Sequence, residues 1–242
     1  NKKKFPQKEL EEKSRKPRLK RSFKKALVNA QRISLIAEIK QASPSKGIIR
    51  KDFNPADIAL VYQDAGADAI SVLTEKIYFK GELSHIEEVR KKVKLPILRK
   101  DFIIEAYQIY ESCVAGADAI LLISEILSKS QISEFLSLAK TLDLDCLVEA
   151  TSETELNKIL KTEAQIIGIN NRDLRSFKVD LEISKKLVPL IPGGKIIVSE
   201  SGIKEADDLN SLKDLGVNAV LIGEALLKAE DAAVKIRQLF KI

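Results

Sequence analysis

Ala65-Gly66-Ala67-Asp68-Ala69-Ile70 recurs unchanged as Ala115-Gly116-Ala117-Asp118-Ala119-Ile120, and its design returns in Leu215-Gly216-Val217-Asn218-Ala219-Val220. Each stretch reads the same way: a helix stops at glycine, the chain turns tightly, and a buried strand begins. Outward from these three, short apolar, β-branched runs fall at residues 33–40, 69–73, 95–100, 118–123, 144–149, 165–170, 195–200 and 218–223. After each comes a loop and then helical apolar spacing, as in Asp57-Ile58-Ala59-Leu60-Val61-Tyr62 or Ile132-Ser133-Glu134-Phe135-Leu136. Strands alternating with helices form parallel βαβ units. Strands that are apolar along nearly their whole length are buried on both faces. Eight such units point to an α/β fold of the closed (β/α)8 type, the TIM barrel, over an open doubly wound sheet. The open sheet lacks its best sign, a GxGxxG after the first strand.

The 242 residues are 45% hydrophobic and 31% charged, enough to bury a full core. No apolar run is long enough for a transmembrane helix, and no secretory leader is visible. Cys113 and Cys146 have no CxxC spacing and read as buried structural thiols in a reducing cytoplasm. The net charge of +6 is concentrated in the first 25 residues (Lys2, Lys3, Lys4, Lys13, Arg15, Lys16, Arg18, Lys20 and Arg21). Glu9, Glu11 and Glu12 interrupt that run and no aromatic platform accompanies it, so it reads as a solvated helix rather than a nucleic-acid tail.

The ends of the strands carry the charge. Glu38 and Lys40 end the first, Lys100 the third, Glu149 the fifth, Asn170-Asn171-Arg172 the sixth and Glu200-Ser201-Gly202 the seventh, while the eighth runs into Gly223-Glu224. In a barrel these C-terminal ends form one ring, where barrel enzymes do their chemistry. Side chains alternate along a strand, so Glu38 and Lys40 share a face and Leu35, Ala37 and Ile39 take the other. The same parity puts Lys100 with Leu98 and Glu149 with Leu147. Internal ion pairs, Lys40 and Lys100 neutralising Glu38, Glu149 and Glu200, would explain one such pair. Five ionisable groups on four strands, all at one end, point to a catalytic site. Ser199-Glu200-Ser201-Gly202-Ile203 and Leu221-Ile222-Gly223-Glu224-Ala225 have the composition of phosphate-binding turns after strands seven and eight. His85, the sole histidine, falls in a charged helical stretch and reads as solvent-exposed, which removes the usual catalytic triad. Neither a zinc-type ligand spacing nor a Walker A motif is present.

At these residues the chain resembles the indole-3-glycerol-phosphate synthase family. The resemblance is carried by residues 35–47 (LIAEIKQASPSKG), 71–75 (SVLTE) with 78–81 (YFKG), 96–102 (PILRKDF), 147–149 (LVE), 167–174 (IGINNRDL), 198–203 (VSESGI) and 223–226 (GEAL), and it runs from about Arg21 to the C-terminus. The family's reaction closes the pyrrole ring of 1-(2-carboxyphenylamino)-1-deoxyribulose 5-phosphate, with loss of carbon dioxide and then water. By resemblance, Lys100 is the general acid towards the ketone oxygen, and Glu149 is the base or proton shuttle of the dehydration. Lys40 contacts the substrate carboxylate, Glu38 and Asn170 position catalytic groups and hydroxyls, and Glu200 lies near the anthranilate end. Ser43, Arg172, Ser201, Gly202 and Gly223 match substrate or phosphate contacts, and Leu73, Phe79, Phe102, Leu121 and Ile123 would wall the aromatic ring.

The resemblance implies no cofactor and no metal, because a decarboxylation that restores an aromatic ring needs no electron sink beyond the substrate. It also implies one domain over residues 1–242, with a short N-terminal helical extension (1–32) over the catalytic face and the barrel at 33–242. The expected partner is a small phosphorylated substrate, with no nucleic acid or membrane; the chain is expected to be a cytoplasmic monomer, association with other tryptophan-pathway enzymes being left open. Ala150-Thr151 departs from the family pattern after the strand-five glutamate. A phosphate-binding barrel of another kind, such as phosphoribosylanthranilate isomerase, would need a cysteine and an aspartate at strand ends. A non-catalytic barrel scaffold would have no need of Lys100, Glu149 and Glu200.

Overall fold

The computed structural model describes residues 6–44, 46–50, 52–173 and 176–241. Lys2, Lys3, Lys4 and Phe5 of the extension, and Ser45 and Leu174 of the matched stretches, lie outside them. Eight parallel strands close into a barrel: β1 (Ser34–Ile39), β2 (Ala69–Leu73), β3 (Ile97–Lys100), β4 (Ala119–Ile123), β5 (Asp145–Ala150), β6 (Ile166–Asn170), β7 (Ile196–Glu200) and β8 (Ala219–Ile222). Each pairs with the next, and β8 returns to β1 with Ser34 opposite Ala219. Around the barrel and across its end run helices α1 (Gln7–Ser14), α2 (Phe23–Ala26), α3 (Pro55–Asp64), α4 (Ser84–Lys92), α5 (Ala106–Ala115), α6 (Lys129–Thr141), α7 (Glu153–Ile159), α8 (Glu182–Leu187), α9 (Ala206–Asp214), α10 (Glu224–Leu227) and α11 (Ala232–Phe240). No helix among the described residues is long and apolar enough to cross a membrane.

Alternation along the strands divides the core in two. Ile36, Leu98, Leu121, Leu147, Val198 and Leu221 fill the barrel. Leu35, Ala37, Ile39, Val72, Ile120 and Val148 face the helices, as parity predicts. The repeated stretches owe their glycine and their aspartate to separate causes. Gly66, Gly116 and Gly216 take φ of +96°, +90° and +96°, a left-handed conformation that ends each helix without a Cβ penalty. The Asp or Asn two residues on then accepts from a backbone amide at the start of the strand next door: Asp68 from Leu35 (2.7 Å), Asp118 from Ile97 (3.0 Å) and Asn218 from Ile197 (2.8 Å). One motif therefore stops a helix and ties two strands together.

The extension lies elsewhere than expected. α1 packs on the outside of α5, and the chain then crosses the N-terminal end of the barrel, opposite the strand ends that carry the charges. Arg18 donates to the carbonyls of Ala117 (2.6 Å) and Asp143 (2.7 Å), while the backbone amides of Arg21 and Lys24 donate to Asp118 and Asp145 (both 2.9 Å), where β4 and β5 begin. Phe23 and Leu27, fully buried, plug that end against the inner barrel residues. The physical reason is that the strand starts carry the aspartates and an unfilled apolar opening, which the Arg- and Lys-rich segment with Phe23 and Leu27 complements. The basic run is accordingly part staple, not simply a solvated helix. His85 is half-buried rather than exposed, because its ring packs against Phe53 with centroids 5.5 Å apart.

Candidate active site

The C-terminal ends of the strands open into a cavity of about 510 Å³. It brings together all sixteen residues singled out in the sequence: Glu38, Lys40, Lys100, Glu149, Asn170 and Glu200; Ser43, Arg172, Ser201, Gly202 and Gly223; and Leu73, Phe79, Phe102, Leu121 and Ile123. Parity explains the convergence. Leu98 points inward, so Lys100 does too; Leu147 carries Glu149, and Val198 carries Glu200.

At the centre Lys100 Nζ lies 3.2 Å from Glu149 Oε2, to which it donates, and 3.3 Å from Glu200 Oε2. Asn170 Nδ2 donates to the other oxygen of Glu149 (3.2 Å). Lys40 donates to Glu38, and the Arg172 backbone amide donates to Asn170 Oδ1 (3.0 Å). The ion pairs considered as a purely structural explanation are thus present, but they open onto a cavity. Both oxygens of Glu200 are buried, and among the described residues Lys100, 3.3 Å from Oε2, is the one group near enough to donate to them.

These surroundings move the charges apart. Burial and the neighbouring carboxylates Glu149 and Glu38 push Glu200 up to about 8 in spite of Lys100. Burial disfavours the Lys100 ammonium, but Glu149, Glu200 and Glu38 more than reverse this and hold it well above the usual lysine range. Burial would raise Glu38, yet Lys40 and Lys100 bring it below the ordinary carboxylate value. The shifts favour the charged forms of Lys100 and Glu38 and the neutral form of Glu200.

The rim supplies backbone amides and further cations. Ser201 and Gly202 adopt φ of +67° and +91° in the turn after β7. Asn171 holds that turn by donating to the carbonyls of Glu200 (3.0 Å) and Ser201 (3.1 Å). Arg172 lies 3.4 Å from Glu224, which also pairs with Lys228 (2.7 Å). Ser43 sits in a two-strand turn, Ala42–Ser43 against Gly47–Ile48, and the Ala42 amide joins this turn to the β2 loop through the Phe79 carbonyl (3.2 Å). The departure at Ala150-Thr151 leaves Glu149 untouched, since Thr151 turns away to Glu155.

Sequence reasoning passed over several supports. Gly168, inward on β6, leaves room for Glu200: a Cβ there would lie 2.5 Å from its Oε1. Gly223 does the same beside Glu38. Arg99, buried on the outer face of β3, bonds Asp101 (2.8 Å), Thr74 (3.0 Å) and the Gln108 carbonyl (2.9 Å), which fixes the segment that carries Lys100 and Phe102. A charged residue beside Lys100 on the opposite parity was the available signal. Lys46, Lys204 and Lys228 also line the cavity. The two cysteines stand apart from it: Cys113 on α5 near Ser14, and Cys146 at the start of β5, so a cysteine-dependent isomerase chemistry has no residue here.

The chain matches the family described as indole-3-glycerol phosphate synthase over residues 1–239. It is similar to proteins named indole-3-glycerol phosphate synthase from Alkaliphilus metalliredigens (52% identity, covering 90% of this chain and 84% of the relative) and Endomicrobium trichonymphae (54%, 90% and 84%). In fold alone it is similar to a solved 3-hexulose-6-phosphate synthase from Salmonella typhimurium, with TM-score 0.68 at 15% identity, covering 86% of this chain and 96% of that one.

Proposed function

The chain belongs to the indole-3-glycerol phosphate synthase family, and from that membership we propose how its mouth carries out the family's step of tryptophan biosynthesis. The reaction is that of a carboxy-lyase. A ring carbon of the anthranilate part attacks the ketone of 1-(2-carboxyphenylamino)-1-deoxyribulose 5-phosphate; carbon dioxide leaves, and dehydration completes the indole. Lys100 is the acid that protonates the ketone oxygen as the bond forms. Glu149 is the base that takes a proton during dehydration, and Asn170 holds it in place. Lys40 balances the substrate carboxylate, with Glu38 fixing the Lys40 side chain. Arg172 and the amides around Ser201, Gly202 and Gly223 hold the phosphate, while Leu73, Phe79, Phe102, Leu121 and Ile123 enclose the ring.

The observation that carries this reading is a lysine held 3.2 Å from Glu149 and 3.3 Å from Glu200 in a cavity large enough for the substrate. An acid and a base in contact, inside a crowded mouth, suit two proton transfers in sequence. In the same reading the enzyme works as a cytoplasmic monomer. The assignment is tested by comparing Lys100→Ala with Lys40→Ala in single turnovers. Lys100→Ala should lose ring closure itself, and Lys40→Ala should mainly weaken substrate binding. Near-normal closure in Lys100→Ala with none in Lys40→Ala would reverse the two roles.

A further inference from the structure

Counting protons in the ring closure leaves one unassigned. Bond formation places a proton on the ketone oxygen. Departure of carbon dioxide returns its bonding pair to the ring and needs no proton. Dehydration then expels that oxygen as water, which takes a second proton, and removes one from the aminated carbon. Two protons enter and one leaves; the net gain of one balances the carboxylate charge lost as neutral gas. Lys100 supplies the first proton and Glu149 removes one, so a second donor is required.

We propose that Glu200 is that source: a neutral carboxylic acid that reloads the Lys100 amine after ring closure, so that the re-formed ammonium can expel the hydroxyl as water. This role rests on the reaction given above. Three carboxyls surround Lys100, and the structure separates them. Glu38 receives the Lys40 ammonium, and Glu149 receives both Asn170 and Lys100. Glu200 alone of the three has both oxygens buried with no neighbour but the Lys100 nitrogen, 3.3 Å away, to donate to them among the described residues. The buried carboxyl with the fewest donors is the one that keeps its proton. Gly168 makes the arrangement feasible by leaving room for the Glu200 oxygens. The charged groups facing Glu200 are Lys100 on β3, Glu149 on β5 and Glu38 on β1, and they leave it protonated up to a pH of about 8.

In the step itself the Glu200 O–H bond breaks, its proton joins the neutral Lys100 amine, and the bonding pair stays on the carboxylate. Ammonium to leaving hydroxyl follows, and water departs with the carbon–oxygen pair. Glu200 regains its proton from solvent, and the amine from Glu149.

The test is a rapid-quench single turnover on the full chain, with labelled carbon dioxide and indole absorbance followed together. In Glu200→Gln, carbon dioxide should appear at close to the parent rate, while indole lags by roughly 10²-fold, the scale of one lost proton donor. Glu200→Asp, which keeps the acid, should recover part of the lag. A Glu200→Gln variant in which both signals slow together, or neither does, overturns the proposal; in the second case the Lys40–Glu38 pair is the donor. Should Glu200→Gln not fold, the parent alone decides: raising pH through about 8 should lengthen the interval between carbon dioxide and indole, and an interval independent of pH refutes the relay. A parent that releases no carbon dioxide at all would instead refute the ring-closure reading itself.

Discussion

Replacing Glu200 with glutamine should stabilise the protein at pH 8 and leave its stability nearly unchanged in acid. In the folded chain Glu200 is raised from an ordinary value of 4.5 to about 8, first by burial, then by Glu149 and Glu38, against the pull of Lys100. Between those two values the unfolded chain has released the proton and the folded chain still holds it. Fewer protons on the unfolded side means that unfolding becomes easier as pH rises, by about 1.4 kcal/mol per pH unit. The penalty is absent below the unfolded value and complete above about pH 8, where it is on the order of 5 kcal/mol. Water entering the mouth and relaxation of its side chains make this an upper bound. Glutamine does not titrate, and because it replaces a carboxyl that is neutral over most of the range, Lys100 loses little. The assay is urea unfolding by circular dichroism at fixed pH from 4.5 to 8.5, since the chain has no tryptophan to report by fluorescence. A stability difference between variant and parent that grows across this range is expected. A difference independent of pH, or a variant that loses ground as pH rises, would refute the protonated state.

Other perturbations separate chemistry from scaffold. Lys100→Ala should lower kcat by about 10²–10⁴-fold with a much smaller change in KM, read in steady-state assays. Gly168→Ala would set a Cβ against Glu200 Oε1, and it should reduce kcat while leaving urea stability within about 1 kcal/mol, because a flexible carboxylate can move aside. Arg99→Ala would take a buried guanidinium away from the half-buried Asp101, lowering stability by about 3–5 kcal/mol in urea melts. Phe23→Ala should cost about 3–5 kcal/mol and leave KM unchanged, since the ring plugs the end of the barrel away from the mouth. A raised KM in that variant would return the extension to the catalytic face.

Period-two alternation made much of this legible before any coordinates. Once Leu98, Leu147 and Val198 are taken as inward, Lys100, Glu149 and Glu200 must follow at the same end of the barrel, and they do. The glycine-aspartate echo announced the strands, although its second use, as a cap on the neighbouring strand, depends on pairing that a linear reading does not contain. Pro96 has no amide to donate, and strand pairing in β3 accordingly starts only at Ile97 rather than at residue 95. The face chosen by the extension was misread. Its charges complement Asp118 and Asp145, yet which end of the barrel those residues occupy relative to Phe23 is a matter of tertiary contact rather than local pattern. Gly168 was invisible for a related reason: its value is an absent Cβ beside a carboxylate from another strand.

The most direct test of the ring-closing mouth is indole fluorescence on mixing the protein with 1-(2-carboxyphenylamino)-1-deoxyribulose 5-phosphate, with Glu149→Gln alongside. A rise in the parent that falls by at least about 10²-fold in Glu149→Gln is predicted. Equal rises in the two proteins, or none in the parent while inorganic phosphate still binds the mouth, would contradict it.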